Sequence, residues 1–380
     1  MSTPNNKLKS ELPRQLGLFD STMIMMGIVL GSGIFLTTGI MAQIIPSGGL
    51  ILLAWTAGGL LTLTGALIYA ELGTMYPDAG GQYVYQREAY GTQIAFLFGW
   101  ILFLVYMTGG IAALSVAFGE YFGYFFPSMG MDNLLIDSNI NIIGLNIHYK
   151  LAAGQIVGVA VILILTVINY VGVVFGKSIQ NIFTILKISV ILLFIILGLT
   201  IGNRISPDLG IIPGDSSLSF SQLLIGFGLA MIAISWAYDG WNNVNFVAGE
   251  IRNPKKNIPL SLIIGTLSIT ILYILVNLVY LYALPVEEIS GVVRIAEKAS
   301  SSLFGGTTTG LISAAILISV FGAINGNILV GPRVSYAMAA DGVFFDKASR
   351  IHPKYKTPAF AIIIQFVWSA ILALSGTFEQ

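Results

Sequence analysis

Nine stretches of continuously apolar sequence, joined by shorter polar connectors, organise this chain: 17–43, 49–73, 91–119, 151–174, 178–201, 220–248, 260–283, 308–339 and 358–376. A helix needs about 20 mostly apolar residues to cross the hydrocarbon core of a bilayer. The strands of an outer-membrane barrel instead alternate apolar and polar positions over about ten residues. These runs do not alternate, so the pattern predicts an all-α polytopic membrane protein with nine helices. The opening MSTPNNKLKSELPRQ is polar, the apolar run after it is too long for a signal-peptide core, and no A-x-A pattern follows. Residues 1–16 therefore read as a cytoplasmic tail. The connectors 120–150, 202–219 and 284–307 are the longest polar pieces, and 286–303 has the mixed polarity of a short amphipathic helix.

Two of the runs carry residues that interrupt a helix. The first contains GSGIF at 31–35 and four glycines, Gly27, Gly31, Gly33 and Gly39. Glycine loses the most backbone entropy on ordering and weakens helix continuity. Inside a bilayer, unwound backbone is tolerated where it is buried in protein or lines a cavity. Its free N–H groups then suit an anion and its free carbonyls a cation; a zwitterionic amino acid presents both. Close packing of small residues at helix interfaces is the competing reading for these glycines. The sixth run holds Trp236-Ala237-Tyr238-Asp239-Gly240-Trp241-Asn242-Asn243 well inside an apolar segment. A carboxylate at such depth is costly and is a functional candidate, or else a cap for the second half of a broken helix. Trp236 precedes Asp239 by three residues, which places both on one helix face.

Charge sharpens the picture. Of 380 residues only 9% are charged and 56% are hydrophobic, against about 25% charged in an ordinary soluble domain. With 18 basic and 18 acidic residues the net charge is zero, which offers no field for nucleic acid. With the N-terminus inside, thirteen Lys and Arg fall on inner segments, Lys7 and Lys9 among them, and four on outer segments. That bias orients the bundle by the positive-inside rule. Asp20, Glu71 and Arg333 sit near inner helix ends, where they can reach the interface or pair. Lys187 sits nine residues into the fifth run, roughly 13 Å deep at 1.5 Å per residue. It reads as a snorkelling lysine or as a buried ammonium serving as a fixed counter-charge or proton site, and the sequence names no partner for it. There is no cysteine, and the two histidines, His148 and His352, lie in polar, loop-like surroundings. Disulfides and thiolate metal sites are thereby excluded for this sequence, and no cofactor, metal site or catalytic group is expected: HExxH, GxSxG and paired catalytic carboxylates are missing.

Four motifs in order carry a family resemblance. GIVLGSGIF resembles the substrate-site signature of the amino acid–polyamine–organocation superfamily. AYDGWNNVNFVAGEIRNPKKNIP, residues 237–259, resembles the sixth-helix signature of its L-type amino acid transporters. YAELGTMYPDAGGQYVY at 69–85 and FGAINGNILVGPRVSYAMAADG at 321–342 are similar to two further stretches. The resemblance runs from about Leu16 onward. It implies a leucine-transporter-type fold of twelve helices, the first ten in two inverted repeats of five. Residues 17–205 would form the first repeat and 215–380 an incomplete second one, with helix ten onward missing. By position, Gly31, Ser32 and Gly33 would receive the substrate carboxylate. Carbonyls near Val29, Trp236 and Asp239 would receive the ammonium, with Trp236 as an occluding gate and Asn242 a further candidate. Lys187 would stand where sodium-coupled relatives bind sodium, and Tyr273 would work with it as a coupling residue.

The implied function is sodium-independent transport of an L-amino acid by alternating access in a bacterial plasma membrane. Obligatory exchange of small neutral amino acids leads, with cationic substrates second. A proton-coupled symporter and a non-transporting amino acid sensor are the alternatives. Animal members pair with a single-span glycoprotein through a disulfide, which a chain without cysteine cannot form.

Overall fold

The computed structural model describes residues 12–142, 145–202, 204–207, 209–211 and 219–376. Lys7, Lys9, the boundary at 215 and Gln380 lie outside the described residues. The first run forms α1 (Leu18–Val29) and α2 (Gly33–Ile44), which meet at a 42° bend. Then come α3 (Gly48–Met75), the short α4 (Gln82–Tyr90), and a third span built from α5 (Thr92–Ile101), a π-helical segment at Leu102–Met107 and α6 (Thr108–Phe125). A hairpin of β1 (Leu134–Ile142) and β2 (Leu145–Ala152) leads into α7 (Ala153–Val171) and α8 (Val173–Thr200). The sixth run is α9 (Phe220–Tyr238) followed by tight 3-10 turns over Trp241–Glu250. The remainder is α10 (Pro254–Ala283), α11 (Val286–Ile289), α12 (Ile295–Phe304), α13 (Thr309–Val330), α14 (Pro332–Ala340) and α15 (Ala359–Ser375).

Seven described helices are long and apolar enough to cross a membrane, and the bent pair α1–α2 makes an eighth. The ninth expected span, α15, is an apolar helix of 17 residues, at the short end for a crossing. Three other expectations change. The chain is not wholly helical: residues 134–142 and 145–152 pair antiparallel, from Leu134 opposite Ala152 to Ile142 opposite Leu145. Polar residues alternating with Ile and Leu carry this strand signal, and His148, placed in a loop from sequence, lies on β2 beside Asp137. The segment 286–303 is two short helices rather than one, because Gly291 turns the chain at φ +73° between them. The eighth run divides at Gly331–Pro332, where proline removes a helix donor.

One buried apolar cluster extends from Leu16 to Ala373, so the two halves share a single core. The two ends of the bundle differ. On the face carrying residues 12–16 and α4, the chain is strapped shut. Gln15 and Leu16 donate their backbone N–H groups to the Glu250 carbonyl at 2.8 and 2.9 Å, and Arg252 N–H returns to the Leu16 carbonyl at 2.8 Å. Lys177 meets Asp20 at 2.9 Å and Arg87 meets Asp341 at 2.5 Å. We call this the tail face and the opposite one the hairpin face.

Arg333 was expected to reach the interface or pair there. It is instead fully buried, with its Nε 2.6 Å from the equally buried Glu250, and it also donates to the Leu329 carbonyl. Glu250 had not been singled out. It falls at the end of the tight turns after α9, where their geometry brings it under the tail-face strap. Removing one partner of such a pair leaves an uncompensated buried charge, at a cost of about 3–5 kcal/mol. Glu250→Ala should therefore destabilise the protein by roughly 3 kcal/mol in chemical unfolding in detergent, and Glu250→Ala with Arg333→Ala should recover part of that loss. A double variant no more stable than the worse single one would count against a paired charge.

Candidate substrate site between two broken helices

The site begins with what happens to backbone groups when a helix stops. In α1 the Leu30 N–H still bonds to the Met26 carbonyl at 2.9 Å, but the Gly31 N–H turns to Val29 at 2.7 Å. A continuing helix would have sent that N–H to Gly27. The Gly27 carbonyl is thus released in the middle of the bundle, and Leu30 follows. An unpaired buried carbonyl costs about 1–3 kcal/mol.

Lys187 meets this demand. Its ammonium donates to the carbonyls of Gly27 at 2.8 Å, Leu30 at 2.9 Å and Ser319 at 2.9 Å, while Ser319 Oγ donates to Leu30 at 2.7 Å. Three donors meet three acceptors. The side chain is 1% exposed, so it does not snorkel. Among the described residues its partners are backbone oxygens rather than an acidic side chain, which explains why no partner could be read from the sequence.

Tyr273 joins the two breaks. Its hydroxyl lies 3.0 Å from the Val29 carbonyl and 2.9 Å from the Ala237 carbonyl, the second freed where α9 ends. A hydroxyl has one proton, so it serves one of them at a time. The ring is held in a cluster with Trp55, at 5.1 Å between centroids, and Tyr238, also at 5.1 Å. The breaks nearly touch: a Cβ built on Gly33 would lie 2.7 Å from Ala237 Cα. Only glycine permits that approach.

Beyond Tyr238 the chain extends at Asp239, turns left-handed at Gly240 with φ +95°, and continues in tight turns. The turns rotate Asn243, rather than the expected Asn242, toward the cavity between the breaks. That cavity, of about 70 Å3, is lined by Val29, Gly31, Ser32, Gly33, Trp236 and Asp239 from the expected set. Lys187 and Tyr273 stand behind it on the freed carbonyls, and Asn242 packs away from it. The first N–H groups of α2 lack intrahelical acceptors, as at any helix start. Both carboxylate oxygens of Asp239 are within reach of the Tyr106 hydroxyl, at 2.8 and 2.9 Å. The arrangement offers donors for a carboxylate at the start of α2 and acceptors for an ammonium at the two helix ends.

Tyr106, Asn243 and Asn327 add polar side chains to the lining, beside Ile28, Gly110, Ala113 and Leu114, and none of the three was a site candidate from sequence. Tyr106 lies in the π-helical segment, and such segments recur at functional sites. The only trace in the sequence is the Gly109–Gly110 pair just after it, of which Gly110 also faces the cavity. Among the described residues no group of three or more His, Cys, Asp or Glu gathers in a way that could hold a metal.

A profile of the amino acid permease family matches residues 16–378. The chain belongs to this family. It is 34% identical over 380 residues to the serine/threonine exchanger SteT of Bacillus subtilis strain 168, a match covering 98% of this chain and 78% of that protein. It is 31% identical to the human b(0,+)-type amino acid transporter 1, over 97% of this chain and 71% of that one. It is 30% identical to the human cystine/glutamate transporter, over 99% and 71%. The resemblance to L-type transporters read from the motifs stands, and the permease is a multi-pass membrane protein whose relatives move amino acids.

Tyr273→Phe keeps the ring and removes the proton that bridges the breaks. It should lower stability by about 1 kcal/mol, read as a fall in Tm in detergent. Normal Tm with unchanged affinity for labelled serine would mean that the hydroxyl does not hold the breaks together.

Proposed function

We propose that this permease is a sodium-independent amino acid antiporter, working by alternating access and favouring small neutral L-amino acids. The observation that carries the proposal is the Lys187 ammonium seated on three carbonyls beside the first break. A protein-borne cation already fills the place where freed carbonyls would otherwise call for an ion, so transport needs no sodium there. Val29, Gly31, Ser32, Gly33, Trp236 and Asp239 bind the substrate: N–H groups of Ser32 and Gly33 take the carboxylate, and backbone oxygens at Val29, Trp236 and Asp239 take the ammonium. Asn242 contributes through the turn that follows. Lys187 and Tyr273 couple occupancy of the site to the arrangement of the breaks.

The repeats are residues 17–205 and 215–380, each opening on a broken helix, in a leucine-transporter-type fold. The small cavity and the likeness to SteT support a compact side chain such as that of serine or threonine. Asp239 supports a second reading, a cationic substrate, because its carboxylate faces the cavity with Tyr106 as its hydrogen-bond donor. The tail face is cytoplasmic, in agreement with the excess of Lys and Arg there, and the membrane is the bacterial plasma membrane. The strapped tail face and the wide cavity on the hairpin face then correspond to an outward-open state. Trp236, 55% exposed, closes over the substrate when that state is left.

The test is uptake of labelled serine by the full-length protein in proteoliposomes. Uptake should require internal amino acid, persist when potassium replaces sodium, and survive collapse of the proton gradient. Lys187→Met takes the ammonium from all three carbonyls and leaves that of Gly27, released at the break, without the donor that replaced its helix bond; it should cut exchange at least about ten-fold, the equivalent of one charge-assisted hydrogen bond. Uptake that ignores internal amino acid and vanishes with the proton gradient would replace antiport by proton symport. Binding without flux would make the protein a sensor.

A further inference from the structure

A second cavity, wider than the one between the breaks, lies beside it. It opens on the hairpin face, measures about 600 Å3, and has Ser32 in its lining. Ser32 also lines the deep cavity, so the two spaces meet at the start of α2. A solute entering from the hairpin face crosses the large cavity first.

Its walls carry opposite charges side by side. Arg294, at the start of α12, meets Glu120, near the end of α6, at 2.7 Å. The same guanidinium stacks 5.1 Å from the Tyr121 ring centroid and lies 3.8 Å from Glu297. Both members of the Arg294–Glu120 pair stay partly open to solvent, with side chains 39% and 45% exposed. Exposed pairs of this kind add little stability, so holding α12 to α6 is a weak reason for them. The guanidinium has five donors in a planar fork, and one reaches Glu120 at short range. Apolar surface from Leu36, Val116 and Val293 adjoins the pair.

We propose that this vestibule is a second, entry site for zwitterionic amino acids. The substrate carboxylate takes Arg294, its ammonium takes Glu120, and its side chain rests on the apolar wall before the molecule passes Ser32. A plus–minus pair at contact distance is the complement of a zwitterion, whereas an anion alone would draw Arg294 from Glu120 and supply nothing in exchange, and a cation alone would leave Arg294 to Glu297. Occupancy also exchanges the bridge between α6 and α12 for two contacts to the substrate, so each arrival loosens the outer loop. The proposal rests on the reading of the protein as an amino acid transporter with its hairpin face outside.

Bacterial cells producing the full-length protein in a strain without serine uptake test it, because they present one face to the medium. Arg294→Gln should raise the external KM for L-serine about ten-fold, the value of one charge-assisted hydrogen bond, with Vmax within two-fold. Glu120→Gln should do the same, which guards against one variant that folds poorly. Half-saturation for efflux from preloaded cells should not move in either. A fall in Vmax with KM unchanged would make the pair a structural latch and overturn the site, as would equal shifts on both faces or no shift at all. Wild-type cells without serine, lysine or any other amino acid uptake would instead defeat the transport reading itself.

Discussion

The structure turns on carbonyl groups that a helix has let go. Two apolar helices stop in the middle of the bundle, and each stop releases backbone oxygens into surroundings without water. The fold survives because two side chains from other helices reach those oxygens. Lys187 on α8 takes Gly27 and Leu30, and Tyr273 on α10 spans Val29 and Ala237. The glycines at the first break are therefore half of a device. They make unwinding cheap, but a buried cation and a buried hydroxyl make it stable.

The same requirement decides what was legible in the sequence. Apolar runs of helical length mark the spans, since each must satisfy its backbone within itself, and the two interruptions stand out against them. Lys187 and Asp239 were visible because charge is rare in such runs. Their surroundings were not. The partners of Lys187 are backbone oxygens, which every residue possesses and no letter of the sequence distinguishes. Asn243 rather than Asn242 faces the cavity because Gly240 turns left-handed and tight turns follow, a rotation that a continuous helical pattern cannot convey. Tyr106 was hidden in a span of unbroken hydrophobicity, where a π-helical segment resets the direction of every later side chain. The β-hairpin was passed over since its alternation is short and sits between two much stronger helical signals.

The buried Glu250–Arg333 pair shows a different limit. Arg333 lies in a polar patch near a helix end, where a long side chain ordinarily reaches water. Its burial depends on Glu250, 83 residues earlier in the chain, and on the Gln15–Leu16 strap that covers both. That geometry is a property of the closed tail face. The two faces thus differ in kind: the tail face is held by backbone bridges and a dry ion pair, and the hairpin face by a wet one that solvent already competes for.

That difference bears on how such a bundle can change sides. Opening the tail face requires the strap to separate and the Glu250–Arg333 pair to meet water, and a solvated ion pair loses most of its Coulomb attraction while regaining hydration. The net cost is therefore smaller than the contacts suggest, and a modest difference in substrate affinity between the two states is enough to tip the balance. The element best placed to carry that difference is Tyr273. Its one proton can serve Val29 or Ala237, but not both. Val29 already accepts the Gly31 N–H at 2.7 Å, so Ala237 is the carbonyl that depends on the tyrosine. Under the transport reading proposed above, a substrate ammonium between the breaks would take over one of these oxygens and leave the hydroxyl to the other. The loaded and empty sites would then differ in how firmly Tyr273 ties one break to the other, which is the asymmetry an exchanger needs.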